Sequence, residues 1–160
     1  MINLKIFTLI FILTANISYA QEVSPWSPYK VISEIINDLH YIRRTSNVDL
    51  VIDSAQFNKN KTPDDVYDQS LLLMQKLDIL TKKEKYKIEY QISIPQRPEE
   101  RMIPSDVLKL LNEIKTVTGK IVEKLGDDSQ LPEVYPEPGM TPPYVYQKVI
   151  KAHMLLDTLL

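Results

Sequence analysis

The sequence predicts a mainly α-helical fold, either a four-helix bundle or two stacked helical-repeat units, with short extended connectors. Three observations carry this. The stretch Thr62-Pro63-Asp64-Asp65-Val66-Tyr67 is written again as Thr141-Pro142-Pro143-Tyr144-Val145-Tyr146, and residues 62–80 and 141–159 align without gaps at seven identities in nineteen positions. Average residue usage yields roughly one or two such identities. Fainter copies stand at Ser27-Pro28-Tyr29-Lys30-Val31 and Ile103-Pro104-Ser105-Asp106-Val107, so that Pro, two variable residues and Val recur at intervals of 35, 41 and 38 residues. After each copy, apolar residues follow at helical spacing. Period, start signal and apolar face together describe a repeated helical unit, with units around 27–44, 62–82, 103–126 and 141–160.

The chemistry of a helix start explains the repeated motif. The first four amides of a helix have no partner within it, and a Thr side chain at the N-cap accepts from one of them. Pro at the first helical position loses no bond and has its φ already set. Asp64 and Asp65 bring negative charge to the positive end of the helix dipole, and Thr62 with Asp65 has capping-box spacing. The copy at Thr141 keeps the cap and the Pro, and replaces the acids with Pro143 and Tyr144.

Along the chain, residues 1–20 read as a secretory signal peptide. Lys5 supplies a positive start, Ile6 to Leu13 is apolar except for Thr8, and Ser18-Tyr19-Ala20 places small residues before a cleavage point at Gln21. The apolar run is shorter than the roughly 20 residues a bilayer span needs, so no stable membrane insertion is expected once the signal is removed. Cleavage leaves 140 residues, one domain, with 18 basic against 21 acidic side chains and no Cys. The charges are mixed along the chain with no basic stripe to track phosphates, which argues against a nucleic-acid partner. Without Cys, an exported chain relies on packing alone and has no thiol nucleophile. The expected location is periplasmic or secreted.

The first helix follows an extended Val23–Pro28 lead-in and buries Val31, Ile32, Ile35, Ile36, Leu39 and Ile42, with Lys30, Glu34, Asn37 and Asp38 on its other side. Val48–Asp53 is too short a run for periodicity to decide between strand and helical turn. The second helix carries Val66, Tyr67, Leu71, Leu73, Met74, Leu77 and Leu80. Tyr86 to Ile94 alternates as a half-buried strand does. One strand cannot satisfy its own backbone, so this stretch is expected to lie extended along the helices or to pair with Val48–Asp53. The third helix runs from Pro104 to about Leu125, ends at Gly126 and contains Gly119, marking either close packing or a weak point. Leu131 to Pro143, with five prolines, reads as a stiff connector. The fourth helix buries Val145, Tyr146, Val149, Ile150, Ala152, Leu156 and Leu159. Antiparallel packing of the bundle or stacking of two units follows as the expected arrangement, with helices two and four pseudo-equivalent.

Catalytic signals are absent from the pattern: there is no Gly-rich phosphate loop, nucleophile elbow or HExxH spacing. The two histidines, His40 and His153, each stand near a carboxylate, Asp38 and Asp157, but the position equivalent to His153 in the second helix is Met74, a packing residue. No metal, cofactor or catalytic residue is therefore assigned. The unit length overlaps that of helical-hairpin repeats such as tetratricopeptide repeats, without their Trp, Gly and Tyr signature. The expected function is non-enzymatic: an exported interaction or scaffold module for another protein, with Trp26 and Tyr135 as its candidate surface. The alternative is a small-molecule sensing or carrier domain, whose interhelical pocket would use Tyr67, Met74, Tyr146 and His153.

Overall fold

A computed structural model describes Ser24 and residues 26–126, 132–135 and 140–160. Residues 1–20, expected to be a signal peptide, the start of the lead-in and parts of the Pro-rich connector lie outside the described residues. The described residues form four helices, α1 (Trp26–Thr45), α2 (Pro63–Thr81), α3 (Pro104–Leu125) and α4 (Pro142–Asp157), and one 3-10 turn at Glu84–Tyr86. Among the described residues there is no strand, and no helix is long and apolar enough to cross a membrane. The expected four-helix bundle is the fold.

Each helix has the apolar face that its sequence promised. Ile32, Ile35, Leu39 and Ile42 of α1 meet Leu73, Leu77 and Leu80 of α2, Leu111, Ile114 and Ile121 of α3 and Val149, Leu155 and Leu156 of α4 in one core. Packing pairs are α1 with α3, α3 with α2, α2 with α4 and α4 with α1. Helices consecutive in the chain are thus diagonal twice, α1 across from α2 and α3 across from α4.

The direction of the helices differs from the antiparallel expectation. Pro28, Pro63, Pro104 and Pro142, one from the start of each helix, line a single small cavity. At the other end, Arg43 in the last turn of α1 donates to Thr158 after α4, and Lys83 after α2 donates to the carbonyls of Leu159 and Leu160. All four helices therefore run parallel. The antiparallel expectation fails because the connections are long. A helix of 16 to 22 residues rises about 24–33 Å, and an extended chain of 16 residues spans about 50 Å. The 17-, 22- and 16-residue connections between helices are long enough to carry the chain back to the starting pole each time.

These return segments also account for the alternating stretches. The first crossover passes over α1 and α4, with its Leu50 and Ala55 carbonyls accepting from Arg43 and Gln147. The second descends along α2 and α3: Tyr86 is buried, Ile88 and Ile92 are half-buried, and the residues between them face water. Alternation here reflects an extended chain lying on helices, and the two stretches, on opposite sides of the bundle, do not pair. The third crossover touches α1, where Asn37 donates to the Pro132 carbonyl at 2.9 Å.

Two features at the waist of the bundle go beyond the sequence reading. Asp38, expected on the outer side of α1, is 1 % exposed. Both of its carboxylate oxygens lie 2.8 Å from Lys115 Nζ on α3, and it accepts a further bond from the Thr118 hydroxyl. A buried carboxylate needs such partners, and the cost of separating them makes the α1–α3 register specific. Gly119 leaves room: a Cβ built there meets no atom within 4 Å. Gly126, in contrast, has φ 138° and closes α3 through its amide to the Val122 carbonyl. This backbone conformation favours glycine, and the place expected for a terminating glycine is confirmed.

Two stability predictions follow from the waist. Gly119→Ala raises stability by about 1 kcal/mol, the helix-propensity difference with no steric penalty, and thermal unfolding measures it. Lys115→Met removes the ammonium that neutralises the buried Asp38 carboxylate and costs about 3 kcal/mol or more, whereas Asp38→Asn, which leaves the partly exposed ammonium able to reach water, costs less. Denaturant unfolding of the two variants tests the order.

Candidate interaction site at the helix-start pole

The Pro-x-x-Val repeat comes together in space. Pro28, Pro63, Val66, Pro104, Val107, Pro142 and Val145 line one wholly apolar socket of about 40 Å³ where the four helices begin. In α2, α3 and α4 the Pro takes the first helical position and the Val lies one turn on. Residues three apart share a helix face, so both side chains turn toward the bundle axis. The α1 copy is displaced, because α1 begins two residues before Pro28. There the Pro lies third in the helix, where a missing N–H still costs no intrahelical bond, and Val31 packs half-buried outside the socket.

Capping chemistry surrounds the socket. Thr62 and Asp65 form the expected reciprocal box: the Asp65 carboxylate accepts from the Thr62 amide at 2.9 Å, and the Thr62 hydroxyl accepts from the Asp65 amide at 3.4 Å. Asp106 accepts from the Ile103 amide at 3.0 Å. Asp64 accepts from the Met102 amide at 3.1 Å and from Arg97 at 3.0 Å, tying the second crossover to the start of α2. Thr141 occupies the N-cap position of α4 with no side-chain cap, contrary to the sequence reading. Pro142 and Pro143 have no N–H to offer, and the Tyr144 amide bonds to the Thr141 carbonyl instead. Pro at the first position of α2, α3 and α4 takes one amide away from each start, and the socket between them is lined by apolar groups.

Exposed apolar residues lie on the same pole. Ile103, just before Pro104, is 56 % exposed, and Tyr144, in the first turn of α4, is 40 % exposed. Phe57, arriving on the first crossover and 49 % exposed, packs against Tyr144 in a tilted pair with ring centroids 4.9 Å apart. In the sequence the Pro-x-x-Val motifs read as helix starts alone. Their convergence needs the helix direction, which the motif does not encode.

The residues considered for an interhelical pocket are separated. Met74 is in the core. Tyr67 is buried between α2 and the second crossover, beside Pro95, Pro98 and Asp106, and burial, then the neighbouring Asp106 and Glu113 charges, raise its hydroxyl pKa. Tyr146 is half-buried, with the Lys61 ammonium 4.5 Å from its ring centroid. His153 is buried, its Nε2 2.9 Å from the Gln69 carbonyl of α2, so that nitrogen carries the proton. Burial holds the His153 pKa below its ordinary value. In a parallel bundle, equivalent positions on two helices are related by rotation about the bundle axis. Tyr67 turns toward α3 and Tyr146 toward the start of α2, so the pair cannot face one cavity.

Neither histidine bonds to its neighbouring carboxylate among the described residues, although the Asp157 charge still acts on His153 from one turn away. Asp38 faces α3 while His40, two residues on, lies exposed on another side of α1. Asp157 pairs with Lys76 at 2.5 Å. Among the described residues, no group of three or more His, Asp or Glu side chains is placed to hold a metal. Of the two candidate surface residues, Tyr135 is 69 % exposed on the third crossover. Trp26 opens α1, and its side chain lies outside the described portion.

No protein-family model, curated protein or solved structure matches this chain.

Asp65 makes the pole sensitive to acid. Bonds from the Thr62 amide and hydroxyl, then from Lys61, lower its carboxyl from 3.8 to about 2. A carboxyl with a depressed folded-state pKa stabilises the protein above its unfolded value, and that contribution is lost as pH falls from there toward about 2. Melting temperatures across this range are expected to fall less steeply for Asp65→Asn than for the unaltered protein.

Proposed function

We propose that this chain is an exported, non-enzymatic interaction module whose docking surface for a protein partner is the helix-start pole. The observation that carries the reading is the combination of the Pro/Val socket with the exposed Ile103, Tyr144 and Phe57 side chains at the same end. Soluble proteins keep large apolar side chains scattered, and a concentration of them around a concavity is characteristic of a binding surface. The socket holds about three water-sized spheres, judged by the volume one water requires. It suits one branched aliphatic side chain of a partner, with the aromatic pair and Ile103 covering the contact. A carrier function draws less support, since Tyr67, Met74, Tyr146 and His153 do not converge. The sequence-based assignment to the periplasm or the exterior belongs to the same proposal and is carried by the signal-like first 20 residues.

Site-specific photocrosslinking in the original host tests this. A photoreactive residue at position 103 or 144 is expected to give a discrete protein adduct. The same residue at Thr116, exposed on the middle of α3, is expected to give none. Absence of an adduct at the pole, or equal labelling from Thr116, overturns the reading. The double variant Ile103→Asp/Tyr144→Asp should remove the adduct of a probe at position 57 while leaving the melting temperature nearly unchanged, because both side chains are exposed.

A further inference from the structure

The opposite pole, where the helices end, carries a second feature independent of the docking reading. A cleft of about 520 Å³ opens between the last turn of α1 and the first crossover, lined by His40, Arg43, Arg44, Asn47, Val48 and Asp49. Its unusual member is Arg43. The residue is 7 % exposed, yet no carboxylate among the described residues lies within ion-pair distance of it or of Arg44. Buried guanidinium groups are ordinarily matched by an anion.

Neutral groups hold Arg43 in place. Its Nε donates to the Thr158 hydroxyl at 2.9 Å, and one terminal nitrogen, Nη2, donates to the Leu50 carbonyl. The other, Nη1, has no hydrogen-bond partner among the described residues and is not sealed from solvent. Two bonds therefore fix the plane of the guanidinium while one edge keeps its donors. Such a preorganised fork matches an oxyanion with little ordering cost on binding. Arg44 adds a second cation, its guanidinium carbon 5.6 Å from the Tyr41 ring centroid. The dipoles of the four helices that end here explain why cations gather at this pole, and Asp49 lines the cleft, but neither places an anion in contact with the free edge of Arg43.

We infer that this cleft is an oxyanion-binding site, taking the carboxylate or phosphate group of a small ligand on the free edge of Arg43 with Arg44 alongside. His40, at the rim, reports on it. Partial burial of the His40 ring, which is otherwise exposed, then the charges of Lys151 on α4 and Arg43, hold its pKa below the ordinary value. Arg44 and Asp49 are the other charged groups lining the cleft. A bound anion offsets the cations and raises the His40 pKa. Asp49 opposes the same anion, so its removal tightens binding.

The chain has two histidines, which makes proton NMR of the 21–160 protein a direct test, with His153, buried between α4 and α2, as internal reference. Sodium phosphate and sodium acetate are titrated separately at constant ionic strength against sodium chloride. The expected result is a saturable shift of the His40 ring signals and a raised His40 pKa, with His153 unmoved. Arg44→Gln should weaken the affinity about tenfold, the loss of roughly one charge-assisted hydrogen bond, and Asp49→Asn should strengthen it. Both substitutions are at exposed positions, so folding is retained. Saturation by phosphate alone assigns a phosphorylated ligand, and saturation by acetate as well assigns a carboxylate. No saturable shift, shifts of both histidines alike, or an affinity unchanged in Arg44→Gln overturns the inference.

Discussion

The constraint on which the rest of this structure depends is that all four helices begin at the same pole. Parallel helices placed side by side align their dipoles, which gathers partial positive charge at one end and partial negative charge at the other. The polar residues answer that arrangement. At the starting pole, carboxylates of Asp64, Asp65 and Asp106 accept from main-chain amides. At the ending pole, Arg43, Lys83 and Lys124 donate to main-chain carbonyls. The same direction also requires three crossovers long enough to return the chain, so the extended and Pro-rich stretches are part of the topology rather than loose additions to it.

The crossovers do structural work that their composition obscures. Each lies against helices and contributes apolar cover: Tyr86 is buried, and Val48, Ile52, Ile88, Ile92 and Met140 pack against the core. Extended backbone on a helical surface leaves many peptide groups to water, which is compatible with a location at the periphery. Side-chain donors from the helices fasten it at intervals, Gln147 to Ala55, Lys124 to Lys87 and Asn37 to Pro132. At the waist, Asp38, Lys115 and Thr118 form a polar contact across α1 and α3. Apolar ridges alone tolerate a slide of one turn, whereas a buried carboxylate with three donor contacts does not.

Parallel direction also turns a local motif into a composite surface. A Pro-x-x-Val at the start of an isolated helix serves only that helix. Four such starts at one pole place their prolines and three of the valines around a common axis, and each proline takes one unpaired amide away from that end. The two poles therefore differ in kind, one apolar around a socket and one cationic around a cleft.

What the sequence determined by itself is local: the four helices, their apolar faces, the capping box at Thr62 and Asp65, and the terminating glycine at Gly126. Each follows from contacts within about one turn of chain, where spacing and residue type decide the outcome. The tertiary structure alone decided the helix direction, and with it the fate of every longer-range reading. Tyr67 and Tyr146 read as partners because their motifs match, yet a rotation about the bundle axis turns them to different clefts. Asp38 reads as a surface residue, yet it faces Lys115, 77 positions away in the chain. Periodicity records which side of a helix is apolar but not which way the neighbouring helix runs, and an antiparallel partner would use the same apolar stripe. That choice depends on the reach of the connections and on polar contacts between distant residues, neither of which leaves a periodic mark in the sequence.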